Sequence, residues 1–309
     1  MITKPNVKIN LGLNVLRKRE DGFHDLETLF VPYFGITDTL EIVVGDDYSR
    51  TSAGLFAKYG PDSTFDGRAG HEGVFGVEMP ERTSPKLVQG ISDDGKLMIT
   101  IAREEGVDWD PLKDLCAKAY DMLSEDFQMP PVKIFLEKTS PVGACLGGGS
   151  SDAAFALKML NELCSLELTD EVLAGYAARL GSDCAFFIYN RPMIGEGRGE
   201  ILTPFDLKGL GYDDSASEYT IQVITPAGIA VSTADAYRGI SPQLPEIPLR
   251  EALARGVSQW QEVLSNDFEH TVFAKYPELE AIKRSLYDSG AVYASMSGSG
   301  SALFAIYKN

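Results

Sequence analysis

The sequence has 309 residues, 44% hydrophobic and 24% charged, which is long enough for two packed domains and typical of a globular protein. Its 28 basic and 45 acidic residues give a formal net charge of −17, which argues against non-specific binding to nucleic acid or to an anionic membrane. A small anionic ligand is still compatible with this balance, because a few cations concentrated in one cleft suffice to bind it.

The termini, cysteines and histidines indicate a cytoplasmic, reduced protein. The N-terminus lacks the apolar region of a signal peptide, and no apolar run has the length of a membrane-spanning helix. The four cysteines and three histidines show no spacing typical of a metal site or of a redox pair. The oligomeric state and the ligands of any metal stay open at this point.

The first predicted element is a strand over residues 7–15, in which apolar and polar residues alternate. Lys8 and Asn10 share the polar face of this strand and are expected to point away from the core. A turn over residues 17–22 follows it, and further strands are predicted over residues 26–34 and 39–44.

Residues 45–95 form a polar, glycine-rich segment with little periodicity. We interpret most of it as an insertion that need not be ordered, in which His71 is exposed and has no function. Beyond it, apolar spacing predicts the following elements: strands over 97–101 and 132–136, and helices over 110–123, 153–164 and 169–180. Thr169 is a candidate N-cap and Gly181 a candidate stop of the last of these helices.

The last third of the chain mixes helices with a terminal hairpin. Helical spacing runs through Tyr237 and over residues 253–264 and 279–286, and strands are predicted over 219–225, 291–297 and 302–307. Antiparallel hairpins with intervening helices indicate an α+β fold and argue against a parallel βαβ series.

A glycine-serine stretch, PVGACLGGGSSDAA from Pro141 to Ala154, lies between a predicted strand and a predicted helix. Backbone N–H groups and the helix dipole bind phosphate in such a setting, and adjacent glycines let the chain approach a ligand closely. A flexible linker is the alternative. The stretch has no Walker lysine beside its serines and lacks the G-x-G-x-x-G pattern of dinucleotide-binding loops.

Six segments, which occur along the chain in the family's order, resemble those of the GHMP kinase superfamily. The Leu-Gly-Gly-Gly-Ser-Ser-Asp run is similar to its second signature, and residues 296–301 are similar to its third. Residues 8–30 resemble the branch that phosphorylates 4-diphosphocytidyl-2-C-methyl-D-erythritol, and so do residues 180–187, 196–202 and 266–269. The resemblance implies a two-domain fold with the active site between an ATP-binding domain (1–195, with a polar insertion near 45–95) and a C-terminal domain (196–309).

The resemblance also implies the catalytic pair. Phosphoryl transfer to an alcohol needs a group that accepts the hydroxyl proton and a cation that offsets negative charge. Asp183 matches the aspartate of the family and is the expected base, and Lys8 is the expected cation. By residue type alone, Asp183 is equally suited to capping a helix, and a lysine on the polar face of a strand is usually solvated.

The remaining expected contacts follow from the same resemblance. It implies that Phe23 stacks on the cytosine of the substrate, that His24 hydrogen-bonds it, and that Asn10, Gly298 and Gly300 complete the substrate site. ATP would be bound by a larger set, consisting of Leu115, Lys138, Gly143, Leu146, Gly147, Gly148, Gly149, Ser150 and Ser151. Mg²⁺ is expected with ATP, with a hydroxyl of Ser150 or Ser151 as a ligand and Glu196 as a weaker candidate.

Several of these roles have a simpler alternative, and Ser150 or Ser151 also suits the N-cap of the following helix. Phe23 and His24 suit a hairpin that covers the core, Lys138 suits a strand end, and Gly298 with Gly300 suits a plain turn. The sequence also departs from the family pattern in three places. Cys145 stands where glycine is usual, Asp114 where asparagine is usual, and the polar segment over 56–85 is long.

The expected function is phosphorylation of the cytidine diphosphate-linked methylerythritol substrate in isoprenoid precursor synthesis by the non-mevalonate route. One alternative is a GHMP kinase for another alcohol, such as mevalonate or homoserine. The other is a nucleotide-binding sensor that keeps the fold without catalysis. The Gly22-Phe23-His24 run argues against the first alternative, and the presence of Lys8 and Asp183 argues against the second.

Overall fold

The computed structural model describes residues 1–60, 84–212 and 216–309. The predicted exposure of His71 and most of the predicted 56–85 segment lie outside the described residues. The chain forms two compact units. The first comprises Met1–Pro5, Asp38–Thr139 and Ala156–Glu167, and the second comprises Asn6–Thr37, Ser140–Phe155 and Leu168–Asn309.

The described residues form twelve strands, of which eight lie in segments predicted to be strands and four, at Ile2–Thr3, Leu87–Ile91, Met193–Gly197 and Ile201–Pro204, were not predicted. In chain order they are β1 (Ile2–Thr3), β2 (Asn6–Lys18), β3 (His24–Thr37), β4 (Thr39–Val44), β5 (Leu87–Ile91), β6 (Leu97–Arg103), β7 (Val132–Lys138), β8 (Met193–Gly197), β9 (Ile201–Pro204), β10 (Tyr219–Ile224), β11 (Tyr293–Met296) and β12 (Leu303–Lys308).

The helices of the described residues include several short ones that the sequence did not predict. In chain order they are α1 (Ser52–Tyr59), α2 (Leu115–Asp126), α3 (Gly148–Leu163), α4 (Asp170–Leu180), α5 (Cys184–Tyr189), α6 (Thr233–Arg238), α7 (Leu249–Ala254), α8 (Trp260–Val263), α9 (Phe268–Lys275) and α10 (Pro277–Asp288), with 3-10 turns at Pro111–Lys113 and Val257–Gln259. None of the helices in the described ranges is long and apolar enough to cross a membrane.

The first unit is built on a five-stranded sheet in the order β1-β4-β7-β6-β5. The pair β6–β7 is parallel and the other pairs are antiparallel. Leu55 and Tyr59 of α1 pack with Val43, Ala102 and Phe135 in its core. Such a core buries apolar side chains from distant parts of the chain, which is the main source of its stability.

The interpretation of most of residues 45–95 as an insertion that need not be ordered does not hold near its two ends. α1 lies near its start, and β5 lies near its end and pairs with β6 along its whole length. The sequence pattern is weak here because α1 has only two buried residues, Leu55 and Tyr59. β5 carries no buried residue and is held by its backbone ladder.

The second unit contains two antiparallel sheets, β2-β3-β8-β9 and β10-β12-β11. One face of β2 contributes Val7, Ile9 and Leu11 to a core that also contains Trp260. The opposite face carries Lys8 and Asn10, which are 3% and 4% exposed. The expected orientation of these two polar residues away from the core is confirmed in part only, because other segments of the second unit cover that face.

The predicted helix over residues 253–264 is also wrong, because α7 and α8 are separate. The chain breaks at Gly256, whose φ of +83° lies in the left-handed region that favours glycine. The Trp260 Nε1 atom then donates a hydrogen bond to the Leu253 carbonyl at 3.1 Å, so the two segments stay together although the helix does not continue. The predicted helix over 169–180 is confirmed as α4, with Thr169 as its N-cap and Gly181 as its C-cap.

Candidate active site

Lys8 is a buried cation whose ammonium group has several partners in the second unit. Its Nζ atom donates to Asn10 Oδ1 at 2.6 Å and to the Cys145 carbonyl at 2.9 Å. It also lies 3.4 Å from Asp183 Oδ2 and 5.4 Å from the centre of the Phe30 ring. A buried ammonium must be paired and hydrogen-bonded, and these contacts meet that requirement. Lys8 therefore connects β2 with the glycine-rich stretch and with Asp183.

Asp183 directly precedes α5 and keeps 32% of its side-chain surface exposed. The structure describes every residue of α5, and none of their N–H groups donates a capping hydrogen bond to the Asp183 side chain. The residues that follow it, from Cys184 to Ile188, are all buried. A carboxylate in this position has one oxygen directed to Lys8 and retains access to solvent, as a group that meets a substrate requires.

The glycine-rich stretch Pro141–Ala154 has the backbone that its composition predicts. Gly143 and Gly147 have φ values of +78° and +73°. A Cβ at Gly147 would lie 3.1 Å from the Phe187 ring and 3.4 Å from Lys8 Cε, so only glycine fits there without movement. At Gly149 the space is open, with no described atom within 4 Å of an added Cβ. The stretch leads into the 16-residue helix α3 at Gly148, which places the helix N-terminus beside Lys8.

Cys145 adopts a φ of +57° within this stretch, a conformation that favours glycine. Its carbonyl accepts the hydrogen bond from Lys8, and its Sγ atom lies 3.0 Å from Ser299 Oγ. Ser299 Oγ in turn lies 2.9 Å from Thr233 Oγ1. The Cys145 thiol therefore bonds the glycine-rich stretch to the loop Ser297–Ser301, the C-terminal loop. This contact is a local reason for cysteine at a position where the family usually has glycine.

The two serines at the start of α3 differ in their surroundings. Burial raises the pKa of the Cys184 thiol to about 11, and a hydrogen bond with Ser150 opposes this shift. The Ser151 hydroxyl is fully buried and has no hydrogen-bond partner among the residues that the structure describes. An unsatisfied buried hydroxyl is costly unless another group binds it. Ser151 therefore fits a phosphate or metal ligand better than Ser150 does.

The C-terminal loop Ser297–Ser301 packs against β2 and against Cys145. The backbone N–H of Asn10 donates to Ser297 Oγ at 3.1 Å. A Cβ at Gly298, whose φ is +55°, would lie 3.1 Å from both Asn10 Oδ1 and Cys145 Cβ. The structure thus brings Lys8, Asn10, Asp183, the glycine-rich stretch and this loop together within the second unit.

The hairpin between β2 and β3 carries the two predicted pyrimidine contacts. Phe23 is 54% exposed, and the Arg198 guanidinium lies 5.0 Å from its ring centre. His24 stacks on Tyr237 with 4.8 Å between ring centres and 21° between planes. Burial and the nearby Lys18 lower the pKa of His24, so its imidazole is neutral at pH 7. A neutral imidazole presents one donor and one acceptor, which suits the edge of a pyrimidine.

Tyr237 is a candidate site residue that sequence reasoning missed. Burial raises its pKa to about 12, with smaller contributions from Cys145 and Asp183. Its ring also packs edge-on against Phe268, with 4.8 Å between centres. The sequence offered only an aromatic residue at a helical position, and no local pattern separates such a residue from an ordinary core aromatic.

Lys138 and Leu115 belong to the first unit, whereas the other predicted site residues belong to the second. The Lys138 Nζ atom lies 3.0 Å from Asp38 Oδ2, and these side chains are only 5% and 1% exposed. Asp38 also accepts a hydrogen bond from the Thr139 N–H at 2.6 Å. Lys138 is therefore part of a buried ion pair at the end of β7, and Leu115 is the first residue of α2. Their proposed contacts with ATP stay predictions.

Asp114 has a clear local role at the start of α2. Its Oδ1 atom accepts a hydrogen bond from the Cys116 N–H at 2.9 Å, and its Oδ2 atom accepts one from Trp109 Nε1 at 3.2 Å. The predicted helix over 110–123 begins only at Leu115, because the chain first makes a 3-10 turn and then uses Asp114 as the N-cap.

Replacing this cap tests whether aspartate differs here from the asparagine usual in the family. We expect Asp114→Ala to lower the free energy of unfolding by about 1 kcal/mol, and Asp114→Asn to change it by less than about 0.5 kcal/mol, because asparagine caps helices equally well. Urea denaturation followed by circular dichroism measures both values. A larger loss for Asp114→Asn than for Asp114→Ala would contradict the role as a cap.

The described residues, which exclude 61–83 and 213–215, contain no group of three or more His, Cys, Asp and Glu side chains arranged to hold a metal ion. Glu196 is exposed on β8, opposite Glu27 of β3. Ser151 is thus the candidate ligand that the local structure favours. A Mg²⁺ ion in such a site would be held largely by water and by the phosphates of its nucleotide.

Comparison with known proteins identifies the family. The GHMP kinases N terminal domain model matches residues 114–191, and the GHMP kinases C terminal model matches residues 249–309. A 4-diphosphocytidyl-2-C-methyl-D-erythritol kinase of Bacteroides fragilis is 42% identical over 99% of this chain and 92% of its own length.

Solved structures agree with the sequence relatives. The crystal structure of a 4-(cytidine 5'-diphospho)-2C-methyl-D-erythritol kinase is 29% identical, with a TM-score of 0.67 over 99% of this chain and 89% of that chain. A homoserine kinase from Cytophaga hutchinsonii shares the fold at 15% identity, with a TM-score of 0.61 over 99% of this chain and 86% of that chain. The predicted α+β GHMP kinase fold is thereby confirmed. The chain belongs to the 4-diphosphocytidyl-2-C-methyl-D-erythritol kinase family of the GHMP kinases.

Proposed function

We propose that this protein transfers the γ-phosphoryl group of ATP to the 2-hydroxyl of 4-diphosphocytidyl-2-C-methyl-D-erythritol. The observation that carries the proposal is the Lys8–Asp183 pair, 3.4 Å apart, with Lys8 also bonded to the Cys145 carbonyl of the glycine-rich stretch. A carboxylate that accepts a proton, a cation and a phosphate-binding loop are the parts that this reaction requires. The kinase relatives described above support the same substrate.

In the proposed reaction, Asp183 accepts the proton of the attacking hydroxyl. The alkoxide oxygen forms a bond to the γ-phosphorus as the bond from that phosphorus to the β,γ-bridging oxygen breaks, which releases ADP. Lys8 orients the carboxylate and stabilises the negative charge that develops on the transferred group. Because Lys8 is buried, its charge acts in a medium of lower dielectric constant than water and is correspondingly more effective.

The phosphates of ATP are proposed to lie along the glycine-rich stretch, with Mg²⁺ as the accompanying ion. Gly143, Leu146 and residues 147–149 would supply backbone N–H donors. The N-terminus of α3 would contribute its dipole, and Ser151 would contribute the hydroxyl that has no partner in the described structure. When bound, Mg²⁺ neutralises charge on the phosphate oxygens. The adenine contacts proposed for Leu115 and Lys138 rest on the family resemblance.

The cytidine part of the substrate is proposed to lie at the β2–β3 hairpin. Phe23 is exposed and so can offer its ring face, and neutral His24 offers a donor and an acceptor. Tyr237 stacks on His24 and would form a second aromatic surface beside the pyrimidine. Asn10, Gly298 and Gly300 are proposed to line the methylerythritol end, since Asn10 bonds to Lys8 and Gly298 packs on Asn10.

An assay with purified protein, Mg-ATP and a panel of alcohols tests the function directly. We expect ADP release with 4-diphosphocytidyl-2-C-methyl-D-erythritol and no comparable release with homoserine or mevalonate. Efficient turnover of either smaller alcohol, or ATP binding without turnover of any alcohol, would contradict the proposal.

His24 yields a prediction that depends on pH. Its lowered pKa keeps the imidazole mostly neutral at pH 7, so the midpoint of its protonation lies below the ordinary pKa near 6.5. We expect the KM for the cytidine substrate to rise as the pH falls through this lower range, because an imidazolium has no acceptor. Initial rates at varied substrate concentration between about pH 5 and 8 measure this change.

His24→Ala is the matching variant. It is expected to raise the KM for the cytidine substrate roughly tenfold at pH 7, the effect of one hydrogen bond. The KM for the cytidine substrate should then no longer rise as the pH falls. The KM for ATP should stay within about threefold of the wild-type value. His270, on α9, gives the control His270→Ala, which should leave both constants unchanged. Equal losses for both substrates in His24→Ala would contradict the placement of His24.

A further inference from the structure

The side-chain amide of Asn266 donates hydrogen bonds to the backbone at the start of the C-terminal loop. Asn266 is 4% exposed, and its Nδ2 atom donates to the Met296 carbonyl at 2.7 Å and to the Gly298 carbonyl at 2.8 Å. Its Oδ1 atom accepts a hydrogen bond from the Phe268 N–H at 3.0 Å. One planar amide therefore uses both of its N–H groups to bind the carbonyl of Met296, at the end of β11, and the carbonyl of Gly298, in the loop, a task that no carboxylate can perform.

The segment that carries Asn266 is also attached to β2, the strand of Lys8 and Asn10. The Leu13 N–H donates to the Ser265 carbonyl at 2.8 Å, and the Asp267 N–H donates to the Leu13 carbonyl at 2.9 Å. The carboxylate of Asp267 accepts a hydrogen bond from the Val15 N–H at 2.7 Å. The residues on either side of Asn266 are thus bonded to β2, while its own side chain is bonded to the C-terminal loop and the residue before it.

The loop that Asn266 holds reaches the candidate catalytic groups. Ser297 Oγ accepts from the Asn10 N–H at 3.1 Å, and Ser299 Oγ lies 3.0 Å from Cys145 Sγ. Gly298 packs so closely on Asn10 and Cys145 that an added Cβ would lie 3.1 Å from each. Asn10 and Cys145 both accept hydrogen bonds from Lys8. A displacement of Gly298 would therefore change the groups that orient the Lys8 ammonium.

We propose that Asn266 is a positioning residue for phosphoryl transfer, which holds the loop Ser297–Ser301 in the register that keeps Asn10, Cys145 and Lys8 aligned with Asp183. This role rests on the proposed function. Asn266 contacts none of the reacting groups, and its effect passes through the Met296 and Gly298 carbonyls. Small displacements of a positioned group reduce rates strongly, because catalysis depends on alignment in the transition state.

The test replaces Asn266 with aspartate, which has the same shape and lacks the two N–H donors. At pH 8 the introduced carboxylate faces two carbonyls, and we expect kcat to fall roughly ten- to hundredfold, the effect of one or two lost hydrogen bonds. The KM for ATP should stay within about threefold, because the glycine-rich stretch proposed to bind it is not changed. Circular dichroism and thermal denaturation report whether the variant is folded.

The pH profile separates positioning from general damage. As the pH falls, the introduced carboxyl gains a proton, and burial raises its pKa so that this occurs in an accessible range. It then regains one O–H donor, so the ratio of kcat in Asn266→Asp to kcat in the wild type should rise from pH 8 to pH 6. Asn266→Ser keeps one donor at every pH and should show a smaller loss that does not vary with pH.

Asp267→Asn is the matched control in the neighbouring residue. Its side-chain oxygen can still accept from Val15, and burial, which raises the pKa of Asp267, makes a neutral group acceptable there. We expect kcat within about twofold of the wild type, since this side chain bonds to β2 and not to the loop. An equal loss of kcat in Asp267→Asn and Asn266→Asp would overturn the proposal.

The reactivity of Cys145 provides a readout that does not need kinase activity. Its thiol bonds Ser299 within the loop, so loosening the loop should raise its rate of alkylation by iodoacetamide on the order of fivefold. Mass spectrometry measures this rate, and the half-buried Cys164 of the first unit serves as the internal reference. The Cys164 rate should not change in Asn266→Asp or in Asn266→Ser.

The two readouts distinguish the possible failures. A wild-type protein without activity on the cytidine substrate refutes the proposed function, and the alkylation rates still decide whether Asn266 holds the loop. A folded Asn266→Asp variant with wild-type kcat, or with wild-type Cys145 alkylation, overturns the positioning role. If Asn266→Asp does not fold, a wild-type kcat or wild-type Cys145 alkylation in Asn266→Ser overturns it equally.

Discussion

Asp183→Asn is expected to lower kcat by roughly 10²- to 10⁴-fold, the usual contribution of a general base, and to leave ATP affinity within about threefold. Asparagine keeps the size of the side chain and cannot accept the hydroxyl proton. Asp183 contacts Lys8 and precedes α5, outside the glycine-rich stretch, so the nucleotide should still bind. Coupled ADP-release assays measure kcat, and isothermal titration with ATP measures the affinity.

Asp235→Asn is a suitable control for this variant. Asp235 lies on α6 in the second unit and pairs with Lys275 at 3.1 Å, and its side-chain exposure of 35% is close to the 32% of Asp183. The same change of one carboxylate to an amide at similar exposure should leave kcat unchanged. Wild-type turnover in Asp183→Asn, or a comparable loss in Asp235→Asn, would refute Asp183 as the base.

Lys8→Met is expected to reduce both turnover and stability. Methionine fills much of the same volume without charge, so the Asn10 side-chain oxygen and the Cys145 carbonyl lose their donor and Asp183 loses its nearby cation. The unsatisfied buried acceptors should cost about 1–3 kcal/mol of the free energy of unfolding. Loss of the cation should lower kcat at least about a hundredfold, as removal of a single group that stabilises the transition state does.

Urea denaturation and ADP-release kinetics measure these two effects separately. Lys275→Met is the control, because Lys275 is 56% exposed and its ion pair with Asp235 lies at the surface. Such a pair contributes at most about 1 kcal/mol, and its loss should not alter kcat. If Lys8→Met kept wild-type turnover, Lys8 would be a structural cation only, and the proposed arrangement of the site would be wrong.

The local sequence predicts elements whose pattern repeats within a few residues. Alternation along residues 7–15 predicts β2, helical spacing with Thr169 and Gly181 predicts α4, and the glycine-serine stretch is predicted to lie between a strand and a helix, as it does between β7 and α3. These features are predictable because side-chain period, capping and glycine conformations depend on neighbouring residues alone. The Leu-Gly-Gly-Gly-Ser-Ser-Asp run and the other short motifs indicated the GHMP kinase family, which the relatives confirm.

The sequence did not predict features that depend on a distant strand, on the conformation of one glycine or on a helix cap. β5 exists because β6 offers it a backbone ladder, and the break between α7 and α8 needs a positive φ at Gly256, where spacing favoured a continuous helix. The helix predicted over 110–123 begins only at Leu115, because the side chain of Asp114 caps α2. In each case a tertiary contact or a cap outweighs the local periodicity.

The surroundings of the candidate site were the least predictable part. The pattern of β2 placed Lys8 and Asn10 on one polar face, where a lysine is usually solvated, yet the glycine-rich stretch and the C-terminal loop bury both. The stacking of Tyr237 on His24 and the hydrogen bond from Asn266 to the Gly298 carbonyl likewise join segments that are remote in the chain. Residue type and spacing determine which groups are available for chemistry. Burial, ion pairing and hydrogen-bond geometry depend on the segments that the folded chain brings around them, and no local pattern contains that information.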